Sequence, residues 1–530
     1  MTSSPPLRTH AERIAKQLAR GATPTLGNDL RSLLEENPTW VMDGLKGIID
    51  TDNKPATDPN WLLESYCILL AQQLELLRYG VDRGRTENIE IALQFQNHVV
   101  GLARNGLLST FLLSRIAVML RDAKLPPIPE LFEVASELMR DAPVPVNPDL
   151  SDIRRLLQEM AKEAEGDLFR VAEGLTEFTY AMPADALAMV AELLLNEPAL
   201  GLADAVPLMM LDDRPEVRQL LGQVLKDHAS QLGPDSLRRL IALRNWLPEG
   251  ERKTLDETIR LARRAGIECA RWPDPPPVEI LASAIDGSAA QGLFFITQSG
   301  RKHQISSTLL RLGKGVLDAW TLPDLPKRQR EAILSDVMNQ MPMTTVSRSY
   351  ADLALQHHLW TAVQGGSLPP VATLKVAESI GASHWLPQQL DLKSTLEQLL
   401  SEVPQEWLAS DRVKEILGTS AHWAQHSGIC RSWFEDDQEI DLLLSRSRAS
   451  KRETLVKKIL TEILQPRAGR WAERCLWAAL WCRESTPELR RFWPHFLIVA
   501  RAITDNCPLK QISLMSYVAD ETLEAALHRQ

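Results

Sequence analysis

Val217, Leu220, Leu221, Val224 and Leu225 fall at i, i+3, i+4, i+7 and i+8, which draws one continuous apolar stripe along a helix. The same period recurs over roughly 60–80, 107–121, 184–195, 234–246, 370–382, 451–464 and 488–503. A chain patterned this way must bury helix against helix. Its 530 residues suffice for several domains or for one extended array. Start signals accompany the stripes. Asp213-Arg-Pro-Glu216 and Ser450-Lys-Arg-Glu453 fit capping boxes, and Thr486-Pro487 sets a cap residue before a proline suited to a first turn.

The stretch 200–264 is the most repeat-like, with helices expected at 204–211, 214–227, 234–246 and 249–264. Within it, AVPLMMLDDRPEVRQLLGQVL (205–225) resembles a HEAT repeat. An apolar first helix meets an Asp-containing turn, and Asp212, Asp213, Pro215, Val217 and Arg218 hold the matching positions. The resemblance spans residues 200–264 and implies an α-solenoid whose helix pairs stack. The expected fold is therefore mainly α, either a HEAT-like helical repeat or an irregular helical array.

At Trp272-Pro-Asp-Pro-Pro-Pro277 the texture changes, because a proline cluster stops helix propagation. The short β-prone runs VEILASAI (278–285), QGLFFIT (291–297), HQISSTLL (303–310) and GVLDAW (315–320) follow. Asp286-Gly287, Ser299-Gly300 and Gly313-Lys-Gly315 punctuate them as hairpin turns do. These runs predict a small antiparallel β insert of three or four strands, about 278–320, covered by flanking helices. Three regions result: a HEAT-like helical region over 1–270, a proline-rich linker with the sheet over 271–325, and a Trp-rich helical region over 326–530. Twelve of the 14 tryptophans lie at or after residue 246, so the later part has a different core or a binding surface. The proline segment is expected to be the first site of proteolysis.

Charge and cysteine content narrow the function. The net charge of −10 sets the whole chain against phosphate polyanions and makes nucleic acid an unfavoured partner. Cysteines at 67, 269, 430, 475, 482 and 507 form no CxxC pair and suit a reducing, cytoplasmic setting. No apolar run has the length of a membrane span.

One stretch has metal-ligand spacing. In HWAQHSGIC (422–430), His422 and His426 stand i, i+4, with Cys430 at i+8. Two imidazoles and a thiolate on one face are zinc ligands in kind. Ser427-Gly428 breaks the line before Cys430, and no HExxH supplies a base, so packing is the expected role and zinc the alternative. In Arg467–Glu484, apolar residues on nearly every side predict a buried helix with Cys475 and Cys482 as core thiols. Acidic Glu435, Asp436, Asp437, Glu439 and Asp441 precede basic Arg446, Arg448, Lys451, Arg452, Lys457 and Lys458, which read as solvated surface. The glycine loops IDGSAAQG (285–292) and QSGRKH (298–303) lack a phosphate-binding pattern and read as turns.

The expected function is a non-catalytic scaffold or adaptor for a partner protein with basic patches, with no cofactor and no assigned catalytic residue. Two alternatives stand beside it: a helical enzyme or metal module using His422, His426 and Cys430, and a nucleic-acid-binding regulator using the basic run 446–458.

Overall fold

The apolar stripes lie on helices. Among them are Trp61–Asp82, Thr110–Asp122, Ala184–Asn196, Pro234–Arg244, Ala372–Ser379 and Trp493–Thr504. The stripe at 451–464 begins as helix Arg452–Lys458 and widens into a π-helical stretch, Ile459–Leu464. Pro466 follows at once, and its missing N–H denies the preceding turn its regular bond. The computed structural model describes residues 5–22, 24, 27–52, 60–141, 150–180, 182–447 and 451–528. Ser450, of the second capping box, and Arg448 lie outside the described residues.

The chain divides into two compact units, one of Met1–Glu163 with Gly174–Val190 and one of Ala164–Glu173 with Ala191–Gln530. The first unit is all helix among its described residues. Its core holds Leu45, Leu74, Phe95, Val99, Leu113 and Leu120, each fully buried. Buried polar groups there are matched. Gln96 accepts from Ile128 N–H at 2.8 Å and donates to Pro126 O at 3.3 Å, pinning the approach to helix Pro129–Asp141. Arg115 grips Glu64 through two bonds of 2.7 and 2.5 Å.

The second unit contains the sheet, whose strands are β1 (Val278–Ser283), β2 (Ala290–Ser299), β3 (Lys302–Arg311), β4 (Gly315–Leu325) and β5 (Met343–Thr345). All neighbours are antiparallel, in the order β4-β3-β2-β1-β5. The four strands read from alternation are present. The fifth adds an edge beside β1, with Leu281 opposite Thr345. Period 2 then decides what each face meets. Leu281, Phe294, Ile296 and Ile305 form one apolar face, covered by Ile333, Leu334 and Val337 of helix Lys327–Gln340. On the other face Phe295 meets Trp385, with ring centroids 5.9 Å apart.

Tryptophans fasten the sheet to the later helices. Trp481 Nε1 donates to Ala282 O at 3.1 Å and Trp433 Nε1 donates to Ile285 O at 2.9 Å. The β1–β2 turn approaches so closely that a Cβ on Gly287 would sit 1.7 Å from Ser432 O, so only glycine fits there. Trp246, Trp433, Trp471, Trp477 and Trp481 are all among the largest fully buried side chains. The tryptophan excess therefore builds core.

The proline segment touches later residues through its backbone, while Pro273, Asp274, Pro275 and Pro277 stay exposed. A Cβ on Gly381 would meet Pro273 O at 2.8 Å and Pro275 Cα at 2.9 Å, and the φ of +65° at Gly381 suits glycine. Arg238 donates to Arg271 O at 3.0 Å and lies over the Trp272 ring at 5.8 Å.

Candidate functional site

The repeat-like stretch forms two helix pairs. The first joins a 3-10 helix, Ala203–Leu211, which carries Pro207 inside it, to helix Pro215–Asp227. The second joins Pro234–Arg244 to Arg252–Arg264. First helix packs on first and second on second. Their fastening is polar and mostly buried. Arg218 gives Nε and Nη2 to the carboxylate of Glu251 at 2.7 and 2.6 Å, and Nη1 to Asp212 O at 2.7 Å. Lys226 meets Glu257 at 2.8 Å, and Ser236 donates to Asp204. Partners thus stand 31 to 33 positions apart, so the second pair repeats the placement of the first.

The ladder continues beyond these pairs. Arg239 donates to both oxygens of Glu378, at 3.0 and 3.2 Å, and to Asp204 O at 3.0 Å; Arg238 reaches the same Glu378 at 3.0 Å. Helix Ala372–Ser379 is thereby bound to the stack. The helix start differs from the capping-box expectation. The helix begins at Pro215 with Arg214 as N-cap, and Asp212, one residue before the motif, accepts from Arg214 N–H at 2.9 Å. Proline at the first helical position shifts the start by one residue past the pattern.

Helix Arg252–Arg264 lines an open depression of about 440 Å³ with Asp256, Ile259, Arg260, Arg263 and Arg264. Asp256 is bonded by Arg244 at 2.7 and 2.9 Å, and that guanidinium holds its carboxyl below the usual range. Leu220 and Leu261 are exposed on the same pair of helices.

Of the metal-spaced residues, the structure joins two and separates the third. His422 and His426 lie on helix Ser410–Ser427 with ring centroids 4.2 Å apart, and His426 Nδ1 donates to His422 O at 2.8 Å. Gly428 then takes φ +70° and ends the helix. Cys430 is fully buried, with its thiol pushed well above the ordinary range by burial and by neighbouring Cys475 and Cys482. Among the described residues, no three His, Cys, Asp or Glu side chains converge as metal ligands do. One side chain draws three carboxylates of the acidic run together. Arg467 takes Glu435 at 2.9 Å, Asp437 at 2.5 Å and Glu439 at 2.6 Å. Arg452 pairs with Asp520 at 2.7 Å and with Glu524.

The buried helix Ala468–Glu484 carries polar groups that the pattern did not single out. Arg474 lies 4.2 Å from the Trp471 ring centroid and 5.7 Å from that of Trp433, and burial lowers its pKa. His357, in helix Arg348–Gln364, accepts from Leu390 N–H at 3.2 Å, which leaves Nε2–H to donate to Glu473 at 3.0 Å. His358 donates from Nδ1 to Ala354 O at 2.7 Å, and burial pushes it down to about 3. The HH pair amid ALA and LW was the available sign of buried imidazoles.

These features define a mainly helical protein that joins a polar-laddered helical stack to a small antiparallel sheet. Residues 183–266 match the family described as Y4lR second domain, and residues 393–527 match the Y4lR C-terminal helical domain. The chain is similar to the "Uncharacterized protein y4lR" of Sinorhizobium fredii (strain NBRC 101917 / NGR234), with 25% identity over 417 residues, 78% of this chain and 79% of that protein. No solved structure matches it.

Proposed function

We propose that this protein is a non-catalytic helical scaffold, built on HEAT-like repeats, that holds a partner protein. The observation that carries this reading is the spacing of 31 to 33 positions shared by Lys226–Glu257, Ser236–Asp204 and Arg218–Glu251, which supports a second helix pair set in the register of the first. Charge suggests the partner. The first 190 residues hold 27 acidic against 19 basic side chains, nearly all of the chain's net charge, which favours a partner with basic patches. Exposed apolar groups in the same region, among them Phe111 at 67% and Leu93 at 49%, supply anchoring area. No described helix is long and apolar enough to cross a membrane. Six free cysteines suit a cytoplasmic setting.

The test is reconstitution from purified components. A protein captured by the full chain should re-form a complex of fixed stoichiometry, weakened by salt and by the double change Glu87→Lys with Glu90→Lys, two exposed acids beside Leu93. Capture that cannot be reconstituted, or a complex indifferent to both salt and charge reversal, contradicts the reading.

A further inference from the structure

The sheet is covered on one side by a single helix, and that helix does not cover all of it. Helix Lys327–Gln340 leaves the end of β4 and returns at β5, on the opposite edge, so it crosses the face from one edge to the other. None of its described residues is fully buried. The corner left open belongs to β3 and β4. Register places Leu322 opposite Ile305, Trp320 opposite Ser307 and Asp318 opposite Leu309. Ile305 points to the covered apolar face, so Leu322, Trp320, Leu309 and exposed Asp318 share that face; the three apolar residues form a strip along its edge, with Asp318 at the end away from the β2–β3 turn. Leu309 is 40% and Leu322 39% exposed, and Trp320 is part-exposed, its ring edge-on to Phe294 at 6.2 Å.

Cations gather at one end of this strip. The β2–β3 turn carries exposed Arg301 and Lys302, and the cover helix opens with exposed Lys327 and Arg328. His303 is paired with Leu325, and Lys302 meets Asp324 at 3.2 Å, which brings the turn and the helix start together. Asp324 and Glu331, 3.8 Å from Lys327, offset part of that charge. Arg301 and Arg328 leave the end positive on a chain of net charge −10.

We propose that this corner is a docking surface for an acidic segment of a partner protein, with apolar side chains on Leu309, Trp320 and Leu322 and carboxylates toward Arg301, Lys302, Lys327 and Arg328. Charge complementarity selects acid. Two leucines with a single tryptophan, its ring edge-on to Phe294, favour apolar side chains over a run of bases, which stack on successive aromatic platforms. The segment lies on the face rather than pairing with the β4 edge, because Pro323 lacks an N–H, Asp324 has φ +58° and the β3–β4 ladder is irregular at two places. This site uses none of the residues invoked above for a basic partner, so either reading can fail alone.

The experiment measures binding of the full chain to labelled peptides of equal length by fluorescence anisotropy. One alternates Glu with Leu, one Lys with Leu and one Glu with Ser; a thymidine oligonucleotide completes the set. The Glu-Leu peptide should bind at least about tenfold tighter than the other three. Arg301→Glu with Arg328→Glu should remove that preference, as should Leu322→Ser, with unchanged thermal melting. Preference for the Lys-Leu peptide, tighter binding of the oligonucleotide, no binding of the Glu-Leu peptide, or binding unaffected by these surface changes would each overturn the proposal.

Discussion

His358 shows how much one buried side chain contributes to the pH response of the fold. Burial pushes its pKa down to about 3, from an ordinary value of 6.5. As pH falls below 6.5 the unfolded chain takes up a proton that the folded chain refuses. The stability tied to neutral His358 is therefore full above 6.5 and declines toward 3, by on the order of several kcal/mol. His358→Asn, whose amide can keep the bond to Ala354 O, should flatten this decline when urea midpoints are compared at neutral and acid pH. An unchanged slope would place the acid sensitivity elsewhere. Arg218 is the corresponding test for charge. Its side chain is 4% exposed and holds three bonds, so Arg218→Ala should cost about 3 kcal/mol in chemical unfolding, since it strands Glu251 and Asp212 O. A loss under about 0.5 kcal/mol would mean that the ladder adds nothing to stability. Of the residues named from spacing alone, His422 and His426 do meet. Cys430 does not join them, because Gly428 ends the helix between them.

At the scale of elements, the proline segment has anchors that pattern alone does not show. Prolines at 273 and 275–277 do stop the helix. What the pattern lacked was Gly381, more than a hundred residues away, which the segment's backbone touches, and Arg238, which holds Arg271 O, although most of the segment's side chains are exposed. Brief trypsin digestion followed by intact-mass analysis should therefore leave the chain joined across 271–277. Two large fragments meeting there would show that the packing is weak. The sheet was legible for the same reason that it folds: alternating residues with glycine turns define four strands. β5 was not, because Met343–Thr345 is too short to show alternation and is strand only by pairing with β1. The helix pair over 203–227 was legible because Arg218 and Asp212, which meet, stand only six positions apart. Its continuation through Glu378 was not, since Arg239 lies 139 positions away.

For the whole molecule, periodicity gave helices and charge gave an acidic chain, while partners in space depended on folding. The distribution of charge is the part that bears on function. Acid concentrates in the first 190 residues, and the sheet corner carries a contrasting group of exposed cations. A scaffold with two differently charged surfaces can hold two partners, or two parts of one. The most direct measurement is native mass spectrometry of the full chain isolated from its own cells, gently and with no chelator, beside the His422→Ala, His426→Ala double variant. A scaffold gives the chain mass plus that of a stoichiometric polypeptide, in wild type and variant alike. A chain carrying only a metal ion, lost with the two histidines and without a polypeptide partner, would contradict it.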